Sequence, residues 1–384
     1  MAVLGNSLWP AEPSTSLIVT TTAIATIGAL FLGRAAGWPS RPKVLANPLK
    51  TFPKGSQRRE ELGKLIYRPD TFPGARDVNT PYGSVRVYEW GPEDGPKVLL
   101  VHGISTSCIT LMHISNSLVK RGCRVMLFDL FGRGFSDGVG DLPHDPRLYT
   151  TQILLVLASS HLAWTGTNGF RLIGYSLGGG IAVHFANAFP HLVEYLVLLA
   201  PAGLVRPESF GTVSRFLFSS GLVPESILTL LTRQRLQQPI VAAKVPKGTM
   251  PGDPQADIAL SEAAAEANEE KLIPLERHVL SYVRWMVTHH SGFVSAFMSC
   301  VRHAPLTHQH EYWAQLAVRR PGTTAIYFAE GDELIDSEYY AKEALPLVGG
   351  KDHVDWRVMP GKHDFVMTHT SSIMDALDEF WGKR

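Results

Sequence analysis

Gly174-Tyr175-Ser176-Leu177-Gly178 sets a serine between two glycines, and its neighbours decide what chemistry that serine could do. A serine hydroxyl is a poor nucleophile near neutral pH. It becomes effective only when a base lies within hydrogen-bond reach and a third group orients that base. In front of the pentapeptide, the apolar run Phe170-Arg171-Leu172-Ile173 reads as a buried strand. Behind it, past Gly179 and Gly180, Ile181 to Phe189 reads as a helix stopped by Pro190. A G-x-S-x-G match alone fits a solvated serine in a glycine-rich turn equally well. Between a strand and a helix it describes a tight elbow that holds the serine strained, with its hydroxyl exposed. Glycines two residues to either side then keep side chains from colliding there.

A serine on such an elbow is completed by an acid and then a histidine further along the chain. Two late strand-like runs end in those residues. Thr324-Ala325-Ile326-Tyr327-Phe328-Ala329 leads into Glu330-Gly331-Asp332, and Val358-Met359-Pro360-Gly361-Lys362 leads into His363. Asp332 is preferred over Glu330, Glu333 and Asp336 because it directly follows Gly331, where a turn can aim it across the sheet. An acid after the preceding strand is excluded, since Ala200-Pro201-Ala202-Gly203 offers no carboxylate. His363 is preferred over His369, which falls where the final helix begins. Acyl chemistry also needs donors for an oxyanion. The backbone N–H of Leu177, at a helix N-terminus, supplies one. The N–H of Ile104, after the Val98–Val101 strand, supplies the other, with Gly103 letting that loop approach. His102 reads as structural.

The elements around these residues follow one rhythm. Ser84 to Trp90 alternates with period two, the pattern of a half-buried strand, and regular structure is expected to begin near Thr80. Val98–Val101, Arg124–Phe128, Phe170–Ile173 and Leu196–Ala200 read as short strands apolar on both faces, with helices at Leu111–Arg121, Ile153–Leu162 and Ile181–Phe189 between them. That alternation predicts an α/β fold with a mostly parallel central sheet flanked by helices. After Gly203 the rhythm breaks. Helical patterns at Val213–Leu222, Glu225–Arg235 and Leu275–His289 suggest an insertion over residues 204–320, above the carboxyl edge of the strands. The sheet core would then comprise 80–203 and 321–384, ending in a helix with a core-facing stripe at Ile373, Met374, Leu377, Phe380 and Trp381.

The chain has 384 residues and a formal charge of +1, from 36 Lys and Arg against 35 Asp and Glu, so nothing points to nucleic acid. Its three cysteines, Cys108, Cys123 and Cys300, are too few and too scattered for a disulfide framework or a zinc site. No cofactor or metal is expected. The N-terminus differs in kind. After a tail over 1–16, Leu17 to Leu32 carries no charge, while Arg34, Arg41, Lys43 and Lys50 follow it. A single-pass membrane anchor over 17–33 is expected, with the larger part of the chain on the cytosolic side by the positive-inside rule. The competing readings are a cleaved signal leading into the secretory pathway, although no basic residue precedes the run, and a buried or interfacial helix. Residues 34–79, rich in proline and basic residues, read as a linker or membrane-proximal arm.

Taken in order, four motifs resemble the α/β-hydrolase superfamily, in its branch with a helical lid. They are Trp90-Gly91-Pro92 leading to Leu100-Val101-His102-Gly103; Asp129-Leu130-Phe131-Gly132-Arg133-Gly134-Phe135-Ser136-Asp137; Gly174-Tyr175-Ser176-Leu177-Gly178-Gly179; and the Gly331-Asp332 and Gly361-Lys362-His363 endings. The resemblance covers roughly residues 80 to 384. It implies Ser176 as nucleophile, His363 as base, Asp332 as its orienter, and Ile104 and Leu177 as oxyanion donors. With an N-terminal anchor, the chain is similar to membrane-attached monoacylglycerol-lipase-like hydrolases, though the lid region is long for that group. The implied activity is cleavage of a carboxylic ester of a small hydrophobic substrate. Phe216, Leu217, Phe218, Trp285, Met286, Phe293, Phe297 and Met298 supply the apolar stripe for it, or simply pack the lid. Hydrolysis of a carbon–carbon bond or of a thioester uses the same triad, and a ligand-binding protein that retains the fold without turnover is the reading from another class. Epoxide and haloalkane hydrolysis are disfavoured, because those relatives carry an aspartate where this chain has Ser176.

Overall fold

The computed structural model describes residues 20, 22, 24–26, 28–29, 42–52, 55, 60, 62–166, 169–206, 227–230, 232–233 and 274–382. It divides into two units, Met1–Pro42 and Lys43–Arg384. In the first, the described residues between Thr20 and Ala29 are helical. Most of the expected anchor over 17–33 lies outside the described residues. Among those described, no helix is long and apolar enough to cross a membrane.

Among its described residues the second unit holds ten strands: β1 Val44–Leu45, β2 Arg76–Thr80, β3 Gly83–Trp90, β4 Lys97–Val101, β5 Arg124–Phe128, β6 Gly138–Val139, β7 Phe170–Tyr175, β8 Val193–Leu199, β9 Thr324–Ala329 and β10 Asp355–Met359. Eight form one sheet in the order β10-β9-β8-β7-β4-β5-β3-β2. Pairing is parallel from β10 through β5 and antiparallel where β3 meets β5 and β2. Val98–Val101, Val125–Phe128 and Leu196–Leu199 are fully buried. Strands buried on both faces need a helical layer on each side. Helices Met112–Lys120, Leu177–Ala188, Ser337–Glu343 and Thr370–Gly382 come after β4, β7, β9 and β10, and Pro146–Ala158 lies between β6 and β7. The α/β architecture expected from the alternating pattern is present.

Two expectations are corrected. β3 is not half-buried: every residue from Ser84 to Trp90 is buried. Its charged side chains, on opposite faces of the strand, are paired instead of solvated. Arg86 bonds Asp77 at 2.9 Å, and Glu89 accepts from Arg124 at 3.3 Å, Ser160 at 2.8 Å and Trp164 at 3.1 Å. Regular structure also begins well before Thr80. β1 pairs with β6, and the backbone N–H and amide of Asn47 donate to Asp137 at 2.9 and 2.8 Å. Tyr67 and Phe72 are core residues at 0% and 3% exposure. The proline and basic content of this stretch describes its local backbone, whereas its aromatic side chains find partners only in the folded domain.

Between β8 and β9 the chain leaves the sheet. The helices Pro274–His289 and Phe293–His303 belong to this insertion, with Met286, Phe293, Phe297 and Met298 buried. The helix expected over 213–222, with Phe216, Leu217 and Phe218, lies outside the described residues; of that over 225–235, residues 227–230, 232 and 233 are described, and they are helical. The N–H groups of Gly203 and Val205 both donate to the Leu306 carbonyl, at 3.0 and 3.2 Å. Trp313 packs edge-on against Tyr340 at 5.5 Å. The chain is therefore back against the sheet domain by Leu306.

Candidate active site

β7 ends at Tyr175 and the next helix starts at Leu177, which leaves Ser176 alone to make the turn. Its backbone sits at φ 53° and ψ −119°. Residues with a Cβ rarely adopt that conformation, and holding it costs about 1–3 kcal/mol. The surroundings enforce it. Ser176 N–H donates to Leu199 O at 3.0 Å, while Ser176 O accepts from Gly179 and Ala202 N–H, both at 2.9 Å. A Cβ on Gly174 would overlap the Gly178 carbonyl, and one on Gly178 would overlap the carbonyls of Val101 and His102. No side chain fits where β4, β7 and the helix converge.

His363 follows β10 and Asp332 follows β9. Ala329 and Met359 are paired in the parallel register of these strands, so both loops leave the same edge of the sheet. Backbone bonds from Glu330 N to Met359 O (2.7 Å) and Gly331 N to Gly361 O (2.9 Å) clip the loops together. The structure brings Ser176, His363 and Asp332 into one chain of contacts. His363 Nε2 lies 3.1 Å from Ser176 Oγ, and His363 Nδ1 lies 2.7 Å from Asp332 Oδ2. The side chains of His363 and Asp332 are 4% and 0% exposed. Asp332 Oδ1 accepts from the N–H groups of Leu334 and Ile335, each at 2.9 Å. With both oxygens engaged, the carboxylate is fixed, and it holds the imidazole with its proton on Nδ1. Nε2 is then free to accept the serine proton. Tyr175 holds His363 from the other side, its hydroxyl donating to the His363 carbonyl at 3.0 Å.

The rival residues are employed elsewhere or turned to solvent. Glu330 and Glu333 are exposed. Asp336 caps the helix Ser337–Glu343, accepting from Glu338 and Tyr339 N–H at 3.0 Å, and pairs with Arg206 at 2.8 Å. His369 faces the Thr368 hydroxyl at 2.9 Å.

Leu177 N–H stands at the first turn of its helix, where backbone donors have no intrahelical partner. The Ile104 loop comes close to the elbow: a Cβ on Gly103 would lie 3.5 Å from Ser176 Cβ. No hydrogen bond among the described residues takes the Ile104 N–H. His102 ties the ends of β4 and β5 together, accepting from Leu130 N–H at 2.9 Å through Nε2 and donating to Gly103 O at 2.8 Å through Nδ1.

Two further residues of the motif that starts at Asp129 have roles that the sequence reading left unassigned. Asp129 is fully buried and accepts from Tyr67 OH (2.7 Å), Cys108 N–H (3.1 Å) and Phe135 N–H (2.9 Å). Burial raises its carboxyl pKa, and these donors pull the other way. Arg133, also buried, donates through Nε to the Ile104 carbonyl at 2.9 Å. The motif itself was legible, but not which loops it would reach.

The family model described as serine aminopeptidase, S33, matches residues 93–266. A serine hydrolase-like protein of Dictyostelium discoideum is 34% identical over 31% of this chain and 32% of its own length. The chain thus spans about a third of that curated relative. Among solved structures, the naproxen esterase of Bacillus subtilis superimposes with a TM-score of 0.53 at 17% identity, covering 86% of this chain and all of that one. A bromoperoxidase of Bacillus anthracis superimposes with a TM-score of 0.56 at 16% identity, over 80% of this chain and 99% of that one. At such identities these likenesses speak for the fold. Together with the family match, over less than half of the chain, and the serine hydrolase-like relatives, they show that the chain has the α/β-hydrolase fold.

Proposed function

We propose that this hydrolase cleaves a carboxylic ester of a hydrophobic substrate through an acyl-enzyme on Ser176. The observation that carries the reading is the continuous Ser176–His363–Asp332 contact chain, anchored on a serine in a strained backbone conformation. His363 Nε2 takes the Ser176 proton as Oγ attacks the acyl carbon. The N–H groups of Ile104 and Leu177 receive the oxyanion, and the protonated imidazole gives its proton to the leaving alkoxide. Water then attacks the acyl-enzyme, with His363 as base again. Asp332 keeps the imidazole in the competent tautomer and stabilises its charged form. The buried apolar side chains of the inserted helices, Met286, Phe293, Phe297 and Met298, support a hydrophobic acyl or alcohol part.

Labelling with a fluorophosphonate probe tests the nucleophile. Wild type should label and Ser176→Ala should not; equal labelling of the two sinks the proposal. A hydrolysis panel of esters, thioesters and diketones, with Ser176→Ala as control, then tests the bond type, and a preference for thioesters or diketones would replace the ester reading. The uncharged stretch over 17–33 with basic residues behind it supports a membrane anchor with the hydrolase on the cytosolic side. Retention in the membrane fraction after a carbonate wash is the expected result, and release into the supernatant contradicts a spanning segment.

A further inference from the structure

The geometry points to Arg133 as a positioning residue that holds the oxyanion loop against Ser176 and ties that loop to the inserted helix Phe293–His303. The inference rests on the serine-hydrolase reading above and deepens it.

Arg133 is fully buried, yet among the described residues no carboxylate lies within ion-pair distance of it. Its donors go instead to neutral acceptors on four segments. Nε donates to Ile104 O at 2.9 Å, and Nη1 to Phe131 O at 3.1 Å and Tyr149 OH at 3.4 Å. Nη2 donates to Cys300 Sγ at 3.3 Å, and Tyr149 OH meets that sulfur at 2.9 Å. The guanidinium thus joins the loop after β4, its own turn after β5, the helix Pro146–Ala158 and the inserted helix.

A buried cation without an anion is an expensive way to hold a fold together. Apolar residues of similar volume do that work as well or better. Its placement suggests what it does instead. Fixing the Ile104 carbonyl restrains the backbone torsions of Ile104, and with them the direction of the Ile104 N–H one peptide away. A preorganised donor costs no reorganisation when the oxyanion forms. The fixed positive charge, next to that site and out of water, favours the same developing negative charge. The contact to Cys300 makes the loop geometry sensitive to how the inserted helix is seated.

A positioning role and a purely structural one separate in the kinetics. Fluorophosphonate labelling rates and ester kcat and KM are measured for wild type, Arg133→Met, Arg133→Lys and a core control, Val156→Ala, at a temperature where thermal melts show each folded. Arg133→Met should lose about tenfold or more in kcat and in labelling rate with KM nearly unchanged, since an interaction made in the transition state is weakened. Arg133→Lys, which keeps the charge but not the fork of donors, should recover part of the loss. A kcat for Arg133→Met no lower than that of Val156→Ala, or a loss carried wholly by KM, overturns the inference. If the Arg133 variants do not fold, Tyr149→Phe and Cys300→Ala loosen the guanidinium from its far side. Each should lower kcat several-fold with KM unchanged, and an unaltered kcat in both again overturns the inference. A wild type that labels no better than Ser176→Ala would instead sink the hydrolase reading, and this inference with it.

Discussion

His363 Nε2 stands 3.1 Å from Ser176 Oγ although 187 residues separate the two in the chain. The sheet creates that proximity. β7 and β10 have only β8 and β9 between them, and all four run parallel, so the loops after them open on one edge. A base delivered by one loop and a nucleophile held by another need that shared edge.

The acid is the member of the triad with most rivals nearby, so its replacement is informative. Asp332→Asn retains the shape but lets the imidazole carry its proton on Nε2, where it cannot accept from Ser176. Turnover of an ester substrate should fall by about 10⁴, as it does for the corresponding exchange in serine proteases. Glu330→Gln, on an exposed side chain, should leave turnover near wild type. The reverse ranking would move the acid to Glu330.

Strain at the elbow should be visible in stability. At φ 53° and ψ −119°, Ser176→Gly removes the Cβ conflict while Ser176→Ala keeps it. The glycine variant should be more stable than the alanine variant by about 1 kcal/mol, and both should be inactive. Denaturant melts of the two proteins decide this; a glycine variant no more stable than the alanine one contradicts the strained geometry.

Acid should unfold the protein through buried histidines. Among the described residues neither ring nitrogen of His144 has a hydrogen-bond partner, and burial, helped by the Arg133 charge, pushes its pKa down to about 3. Burial takes His290 down to about 4, against its bond to the Ser136 carbonyl. Unfolded, each binds a proton near pH 6.5. The unfolded state therefore holds more protons between these values. The stability contributed by the neutral rings is full above about pH 6.5 and is lost as pH falls toward 4 and then 3. The raised Asp129 carboxyl carries the opposite sign, but it is common to wild type and His144→Phe. Urea midpoints between pH 7.5 and 5 should shift less in His144→Phe, by up to about 1.4 kcal/mol per pH unit below pH 6.5. Parallel curves for the two proteins would rule His144 out.

The segment before β2 should matter to the fold. Tyr67 OH is one of three donors on the buried Asp129 carboxylate. Tyr67→Phe keeps the ring and removes that donor, at a cost of about 1.5–3 kcal/mol for a bond to a charged group. Calorimetry or urea unfolding would show it. A wild-type melting point would mean that the arm does not stabilise the domain.

Much of this protein was readable from local pattern. Strands apolar on both faces announced a parallel sheet, because only strands covered on both sides can be so apolar. The glycines around Ser176 announced an elbow, since no other residue fits where three backbones converge. The order of serine, acid and histidine loops narrowed the candidates to a few residues. Other features are set by contacts between distant segments, and no local pattern encodes those. The alternation in β3 suggested a solvated face, but Arg86 on one face and Glu89 on the other are both buried because Asp77, Arg76, Arg124, Ser160 and Trp164 come to meet them. Asn47, Tyr67 and Phe72 stood in a stretch that resembled a linker until Asp137, Asp129 and the core gave them partners. Arg133 was one letter of a motif. Its neighbours Ile104 and Cys300 lie 29 and 167 positions away, so only the packing of four segments around one guanidinium reveals what it holds.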